Sequence, residues 1–286
     1  MRACPVRRHP LLRDGHGRYI RSVTADRTED SERQDIDFGR TAVDYERYRP
    51  GFPDDFFNRL AERRWIGRGQ RALDLGTGTG SLAIGFAARG LVVTGIDIAP
   101  ELLEVARKAA AAQGLSAHFV EGRAEDTGQV TESFDLVSAG QCWWWFNEDA
   151  ALKEARRVLA PGGRLIICTF SYLPLTGNLA NRTEELVLKH NPGWPKAGWV
   201  GIHPEHVKAL DRGGFTDVEC FSYTVDVTFS HEAWRGRIRT CNGVGSALSS
   251  EQAERFDAEL AEMLACDFPP NLLVPHRIFA TSGIRT

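Results

Sequence analysis

Eight consecutive residues carry most of the chemical information in this chain: Leu73-Asp74-Leu75-Gly76-Thr77-Gly78-Thr79-Gly80. A short apolar run ends at an acid, three glycines alternate with threonines, and a helix-like segment follows from Ser81 to Arg89. Glycine has no Cβ, so backbone at such a strand–loop–helix corner can come very close to a ligand. Seventeen residues past Gly80, a second apolar run (Leu91 to Ile96) ends in Asp97. An acid at the tip of the second strand is placed to grip a ribose by its hydroxyls. The two corners together describe a nucleotide-type pocket at the carboxyl edge of a parallel sheet.

The dinucleotide fingerprint G-x-G-x-x-G is met by Gly76 and Gly78, but Ser81 stands where its third glycine belongs. No Gly-Lys-Ser/Thr is present, which excludes a phosphate-cradling P-loop. The spacing here is G-x-G-x-G with an acid two residues before it. Further segments follow in order: Glu121-Gly122-Arg123-Ala124-Glu125-Asp126 after a third apolar run, Phe134-Asp135-Leu136-Val137-Ser138 opening a fourth strand, and Leu159-Ala160-Pro161-Gly162-Gly163-Arg164-Leu165 leading into a fifth. In this order the chain resembles class I S-adenosylmethionine-dependent methyltransferases over roughly residues 38–170.

That resemblance implies S-adenosylmethionine as cofactor and assigns residues to it. Asp74 orders the glycine loop or approaches the cofactor's amino group. Gly76, Gly78 and Thr79 contact the methionine portion, with Thr77 and Gly80 in the same loop. Asp97 takes both ribose hydroxyls, although an acid just before Pro100 also suits a helix N-cap, and Ile98 leans on the adenine ring. Arg123, Ala124 and Glu125 hold the adenine edge; Glu125 and Asp126 both stand open as the acid that meets the exocyclic amine. Gly140 and Gln141 line the floor beneath the sulfonium.

Gln141-Cys142-Trp143-Trp144-Trp145-Phe146 follows the fourth strand. Small-molecule methyltransferases of the trans-aconitate and ubiquinone-biosynthesis type are similar here and often show Gln, then His-Trp-Phe; Trp144 takes the place of that histidine. Aromatic faces attract a cation such as a sulfonium by ~0.5–2 kcal/mol, so an aromatic wall at the pocket is expected, with one or two of the indoles in the core. The string Tyr45-x-x-Tyr48-Arg49-Pro50-Gly51-Phe52-Pro53 resembles the segment that lids the cofactor in the same enzymes, which makes Tyr45 and Tyr48 candidates beside the methyl group. His203 and His206 share a helix face by spacing, but two histidines without a carboxylate partner are a poor metal site, and none is expected. The candidate catalytic groups are therefore Tyr45, Trp144 and His203, with no base assigned.

These motifs need a scaffold. Strands are expected at Arg71–Leu75, Val92–Ile96, His118–Val120, Asp135–Ser138 and Arg164–Phe170. Helices are expected at Phe38–Tyr48, Asp54–Arg64, Leu82–Ala88, from Pro100 onward and at Asn147–Leu159. A short helix around Arg182–Lys189, another opening at His203-Pro204, a long β stretch Thr216–Phe229, helices His231–Arg239 and Ser249–Ala265, and a strand Leu272–Thr281 complete the pattern. The alternation predicts an α/β fold: a seven-stranded, doubly wound, mostly parallel sheet, Rossmann-like, with an antiparallel last strand and helical cap insertions. Residues 1–36, rich in arginine and without apolar periodicity, read as a disordered basic leader. Residues 37–286 read as one domain, a cofactor half (37–170) and an acceptor half (171–286).

The 286-residue chain carries a net charge of −3, which gives no global pull toward nucleic acid or a membrane surface. Six scattered cysteines without C-x-x-C pairing suggest reduced thiols and a cytoplasmic enzyme. The expected reaction is methyl transfer to a small-molecule acceptor by in-line displacement. Two rivals remain open: a nicotinamide-dependent oxidoreductase on a Rossmann fold, and a methyltransferase-fold protein that uses the bound cofactor for non-methylating chemistry.

Overall fold

The computed structural model describes residues 12–13, 19–20, 47–245 and 247–286. In the first unit (1–36), β1 (Leu12–Arg13) pairs antiparallel with β2 (Tyr19–Ile20); otherwise the expected leader lies outside the described residues. Of the helix expected over Phe38–Tyr48, Arg47 and Tyr48 are described and helical. The second unit spans 37–286.

That unit is organised by one sheet of seven strands: β3 (Arg71–Leu75), β4 (Val92–Asp97), β5 (His118–Glu121), β6 (Phe134–Gly140), β7 (Leu159–Tyr172), β8 (Phe215–Ser230) and β9 (Asn271–Arg285). Their spatial order is β5-β4-β3-β6-β7-β9-β8. The first five run parallel, and β9 inserts antiparallel between β7 and β8. The strand order reverses beside β3, so the ends of β3, β4 and β6 open a crevice there.

Successive residues of each inner strand serve opposite faces, and both faces are covered. Ala72, Leu136, Ile166 and Cys168 pack under α1 (Asp54–Glu62), α2 (Ser81–Ala87) and α3 (Pro100–Ala112). Leu73, Val137, Leu165 and Ile167 pack under α4 (Glu148–Val158) and α6 (Pro204–Arg212). A third core joins α5 (Leu179–His190), α7 (His231–Arg239) and α8 (Ser250–Asp267) to the far ends of β7, β8 and β9 through Tyr172, Trp234, Phe256 and Val274.

Three boundaries differ from the sequence expectation by three residues or more. β7 starts at Leu159 because Leu159 pairs with Phe134 and Arg164 with Leu136; Ala160–Gly163 loop out between them, with Gly162 at φ 79°. Helix α5 begins at Leu179, since the Asn178 side chain accepts from Asn181 N and caps it. β9 continues to Arg285 because it is flanked on both sides.

Helix α2 carries the glycine loop, and α1 holds it down. Phe57 lies against Gly85 so closely that a Cβ there would sit 2.0 Å from Phe57 Cζ. Gly85→Ala should therefore overpack the α1–α2 contact and cost about 1–3 kcal/mol. The check is a lower urea midpoint at unchanged m-value; an unaltered midpoint would mean that the Phe57 ring gives way freely.

Candidate active site

Asp74 sits one residue before the end of β3 and is 2% exposed. Its Oδ2 accepts from Thr77 Oγ1 at 2.7 Å and its Oδ1 from Ser138 Oγ at 2.6 Å. One carboxylate thus ties the glycine loop to the neighbouring strand β6. Burial pushes its pKa up from 3.8 to about 6, with the two hydroxyl donors working against the rise. Of the two roles implied for Asp74, ordering the loop is the one these hydrogen bonds perform.

Gly76, Gly78 and Gly80 have φ of 60°, 53° and 85°, a region that favours glycine. A Cβ on Gly76 would press on Cys142 Sγ at 2.9 Å, whereas one on Gly78 would meet nothing within 4 Å, so the space beside Gly78 is open. Asp97, the last residue of β4, accepts from Gly78 N at 2.8 Å through Oδ2 and from Ala99 N at 3.0 Å through Oδ1. The carboxylate therefore holds the loop and shapes the entry to α3 at once. Burial raises its pKa and these backbone donors oppose the rise.

A cavity of about 450 Å³ opens at this corner. Asp74, Gly76, Thr77, Gly78, Thr79, Gly140 and Gln141 line it, together with Arg49-Pro50-Gly51-Phe52, Ser81 and Gly85. Gly80, Asp97, Ile98, Arg123, Ala124 and Glu125 do not contribute to that lining; Asp97 reaches the loop through Gly78 N. Ile98 is 57% exposed and Ala124 is buried. Glu125 Oε1 accepts from Asn147 N, so this carboxylate is engaged at the entry to α4; Asp126 is exposed. These groups stand at the ends of β4 and β5, which Gly122 N joins by its bond to Asp97 O. Asp97 thus links the glycine loop, through its side chain, to the end of β5, through its carbonyl.

On the β6 side, Gln141 has φ 62°, a sparsely used conformation for a non-glycine residue and one that clusters at functional sites. Its N donates to Cys168 O, and its Oε1 accepts from Ser171 Oγ at 3.4 Å. Burial pushes the Cys142 and Cys168 thiols well up, so neither supplies a thiolate.

The tryptophan run behaves differently from the expectation. Trp143 is in the core beneath α4 and donates to Glu148 Oε2 at 2.9 Å. None of the three indoles lines the 450 Å³ cavity. Trp144 stacks on His203 (centroids 6.4 Å, 23°) and meets Trp199 edge-on. The cation against these faces is the chain's own: Lys196 Nζ lies 4.4 Å from Trp144, 5.2 Å from Trp199 and 5.5 Å from Trp145. Burial, and after it the charge of Arg49, pull the Lys196 pKa down to about 8. The reason for the correction is the 191–203 segment, which folds over the rings and which no periodicity in the sequence announced.

His203 caps the start of α6 and is buried, with Nδ1 2.9 Å from Glu205 Oε1. The sequence reading gave this histidine pair no carboxylate partner. The structure supplies Glu205, because a residue two past the cap turns back beside it in the first helical turn. Tyr45 lies outside the described residues. Tyr48 OH donates to Glu232 Oε1 at 2.8 Å, and Arg49 bonds Thr240 through Nε (3.1 Å, to Oγ1) and Nη2 (3.0 Å, to the carbonyl). Phe52 N donates to Ser81 Oγ. Residues 48–52 thereby strap the cap to the glycine loop across the cavity.

Residues 73–167 match the methyltransferase domain family. Over those residues the chain is similar to methyltransferase domains. An uncharacterized methyltransferase of Mycobacterium tuberculosis is 38% identical over 130 residues, 46% of this chain and 50% of that protein. The demethylmenaquinone methyltransferase of Thermus thermophilus is 39% identical over 132 residues, 41% of this chain and 60% of that enzyme. The chain thus spans about half the length of the curated relatives it matches. A protein of Anaeromyxobacter dehalogenans assigned as a type II methyltransferase superposes with a TM-score of 0.59 at 23% identity, over 83% of this chain and 98% of that one. The sheet order around the methyltransferase domain, with its antiparallel β9, is that shared fold.

Asp74 makes the domain's stability pH-dependent with a definite sign. Its pKa is raised on folding, so between about pH 4 and 6 the native state holds more protons than the unfolded chain, and stability falls as pH rises. A rise from 3.8 to about 6 corresponds to roughly 3 kcal/mol. Asp74→Asn keeps the shape and both hydroxyl contacts, so it should gain on the native sequence by that order between pH 4.5 and 7.5 in urea melts. Parallel profiles would show that Asp74 ionises as an ordinary surface acid.

Proposed function

We propose that this domain binds S-adenosylmethionine in the cavity at the β3–β4 corner and transfers its methyl group to a small-molecule acceptor beneath the 171–286 half. The observation that carries the reading is the Asp97 carboxylate at the tip of β4, fixed by Gly78 N and Ala99 N beside open space. Each of its oxygens keeps a further lone-pair direction for a ribose hydroxyl. Against a dinucleotide stands Ser81, in the place of the third glycine that its fingerprint needs.

When bound, the cofactor supplies a methyl group already activated by a sulfonium, with a neutral leaving group. The chain's part is to bind, align and keep water out. Gly76, Thr77, Gly78 and Thr79 cradle the amino-acid end, and Gly140 and Gln141 form the floor. Asp97 holds the ribose; Ile98, Arg123, Ala124 and Glu125 flank the base. The 48–52 strap and the cap close the cavity, which is where alignment worth on the order of 7–11 kcal/mol can arise. A carboxylate acceptor needs no base, and a phenol or carbon acid does. We therefore assign no base, and Trp144 and His203 enter as walls of the acceptor side.

The demethylmenaquinone activity of the Thermus relative supports a small-molecule acceptor in general without naming this one. No helix among the described residues is long and apolar enough to cross a membrane. The five described cysteines are free thiols, which supports a reducing compartment such as the cytoplasm.

Calorimetric titration with S-adenosylhomocysteine and, separately, with NADH tests the reading. The native chain should bind the first and ignore the second. Asp97→Asn should weaken the first by about 10–100-fold, the value of a hydrogen bond to a charged group. Uptake of NADH with no affinity for the adenosyl ligand would reverse the assignment.

A further inference from the structure

We infer that His203, Glu205 and His206 form a binding site for one divalent transition metal of the Zn²⁺ or Co²⁺ kind, on the cap side of the domain. One ligand atom from each of the three side chains lies within 4.8 Å of the others. The imidazoles of His203 and His206 are stacked nearly parallel, with centroids 4.9 Å apart and 12° between planes. Glu205 Oε1 stands 2.9 Å from His203 Nδ1.

His206 supplies the independent observation. It is 3% exposed, and neither of its ring nitrogens has a hydrogen-bond partner. A neutral imidazole carries one donor and one acceptor, and leaving both unmade in the interior costs about 1–3 kcal/mol for each group. A histidine buried only for packing is normally bonded through at least one nitrogen. His276, also fully buried, follows that rule: its Nδ1 is 2.9 Å from Val274 O. His206 does not, and ligand atoms of His203 and Glu205 lie within 4.8 Å of its own.

The donor set decides the metal class. Two imidazoles and one carboxylate suit zinc, cobalt and their neighbours, whereas calcium and magnesium take oxygen ligands. Zinc bonds of about 2.0–2.2 Å at tetrahedral angles separate ligand atoms by roughly 3.3 Å. The 2.9 Å pair must therefore open slightly and the widest pair close by ~1.5 Å, which side-chain rotation provides. His203 at the helix cap and Glu205 and His206 in the first turn hold the three together by local backbone geometry. Three protein ligands leave a fourth position for water or an exogenous donor. Trp144, whose Nε1 is buried without a partner, stacks on His203 beside it.

Chelator-treated, dialysed full chain is titrated with Zn²⁺ by calorimetry and with Co²⁺ by visible absorption. The expected result is one equivalent bound, with the ligand-field bands of a low-coordinate site containing nitrogen donors. Glu205→Gln, half-exposed on the helix surface, should weaken Zn²⁺ by 10-fold or more, and His206→Ala by 100-fold or more. His231→Ala, remote from the cluster and bonded to Pro269 O, should bind as the native chain does. Should His206→Ala fail to fold, Glu205→Gln still decides. Absence of stoichiometric binding by the native chain, or equal binding by native chain and Glu205→Gln, overturns the site. Neither readout depends on methyl transfer.

Discussion

One buried carboxylate sets the geometry on which the cofactor corner rests. Asp74 reaches Thr77 in its own loop and Ser138 on the next strand, so the loop cannot move without dragging β6. A lone charge in that position would be costly to bury. Two short hydroxyl bonds reduce the cost, and the pKa near 6 reports what is left of it. Asp97 repeats the device from the other side, fixing Gly78 to the end of β4. The glycine loop is thus held by two acids on two different strands. Left-handed backbone at Gly76, Gly78 and Gly80 then becomes one defined shape rather than a flexible stretch.

Three cores share the one sheet. Two cores, one on each face of the sheet, position the cofactor corner. The third core, built by α5, α7, α8 and the outer ends of β8 and β9, belongs to the cap. Across the cavity, Tyr48–Glu232, Arg49–Thr240 and Phe52–Ser81 form one strap between the two. Individually such bonds contribute about 0.5–1.5 kcal/mol, less than the burial of one large side chain. Ring packing adds to them, since Phe52 lies against Phe56 and Phe170.

How far the sequence foretold this follows from where each constraint is local. Arg71–Leu75 was legible as a strand because an apolar run buried on both faces ends abruptly at glycines. Pro100 marked a helix start by its fixed φ. His231–Arg239 was bounded by its pattern and emerged with those ends. The start of α5 was missed although Asn178 carried the cap signal, because Pro- and Gly-rich neighbours masked it. Lys196, Trp199 and Glu205 were invisible as site residues for a different reason. Their meaning lies in contacts with Trp144 and His203, dozens of residues away or across a turn, and no periodicity encodes such contacts. Cys142 had no sequence signal either, yet its Sγ packs where Gly76 lacks a Cβ and donates to Leu75 O at 3.2 Å.

The cage around Lys196 shows why the aromatic run need not serve a ligand cation. An ammonium loses hydration on burial, and its pKa falls to about 8. Three indole faces return part of that loss as cation–π attraction, on the order of 1–2 kcal/mol per favourable face once water is excluded. Lys196 is held by ring faces, and no carboxylate among the described residues pairs with it. Arg49, near enough to depress the same pKa, lies on the cavity side. The tryptophan run thus has an occupant within the chain itself, held by the 191–203 segment.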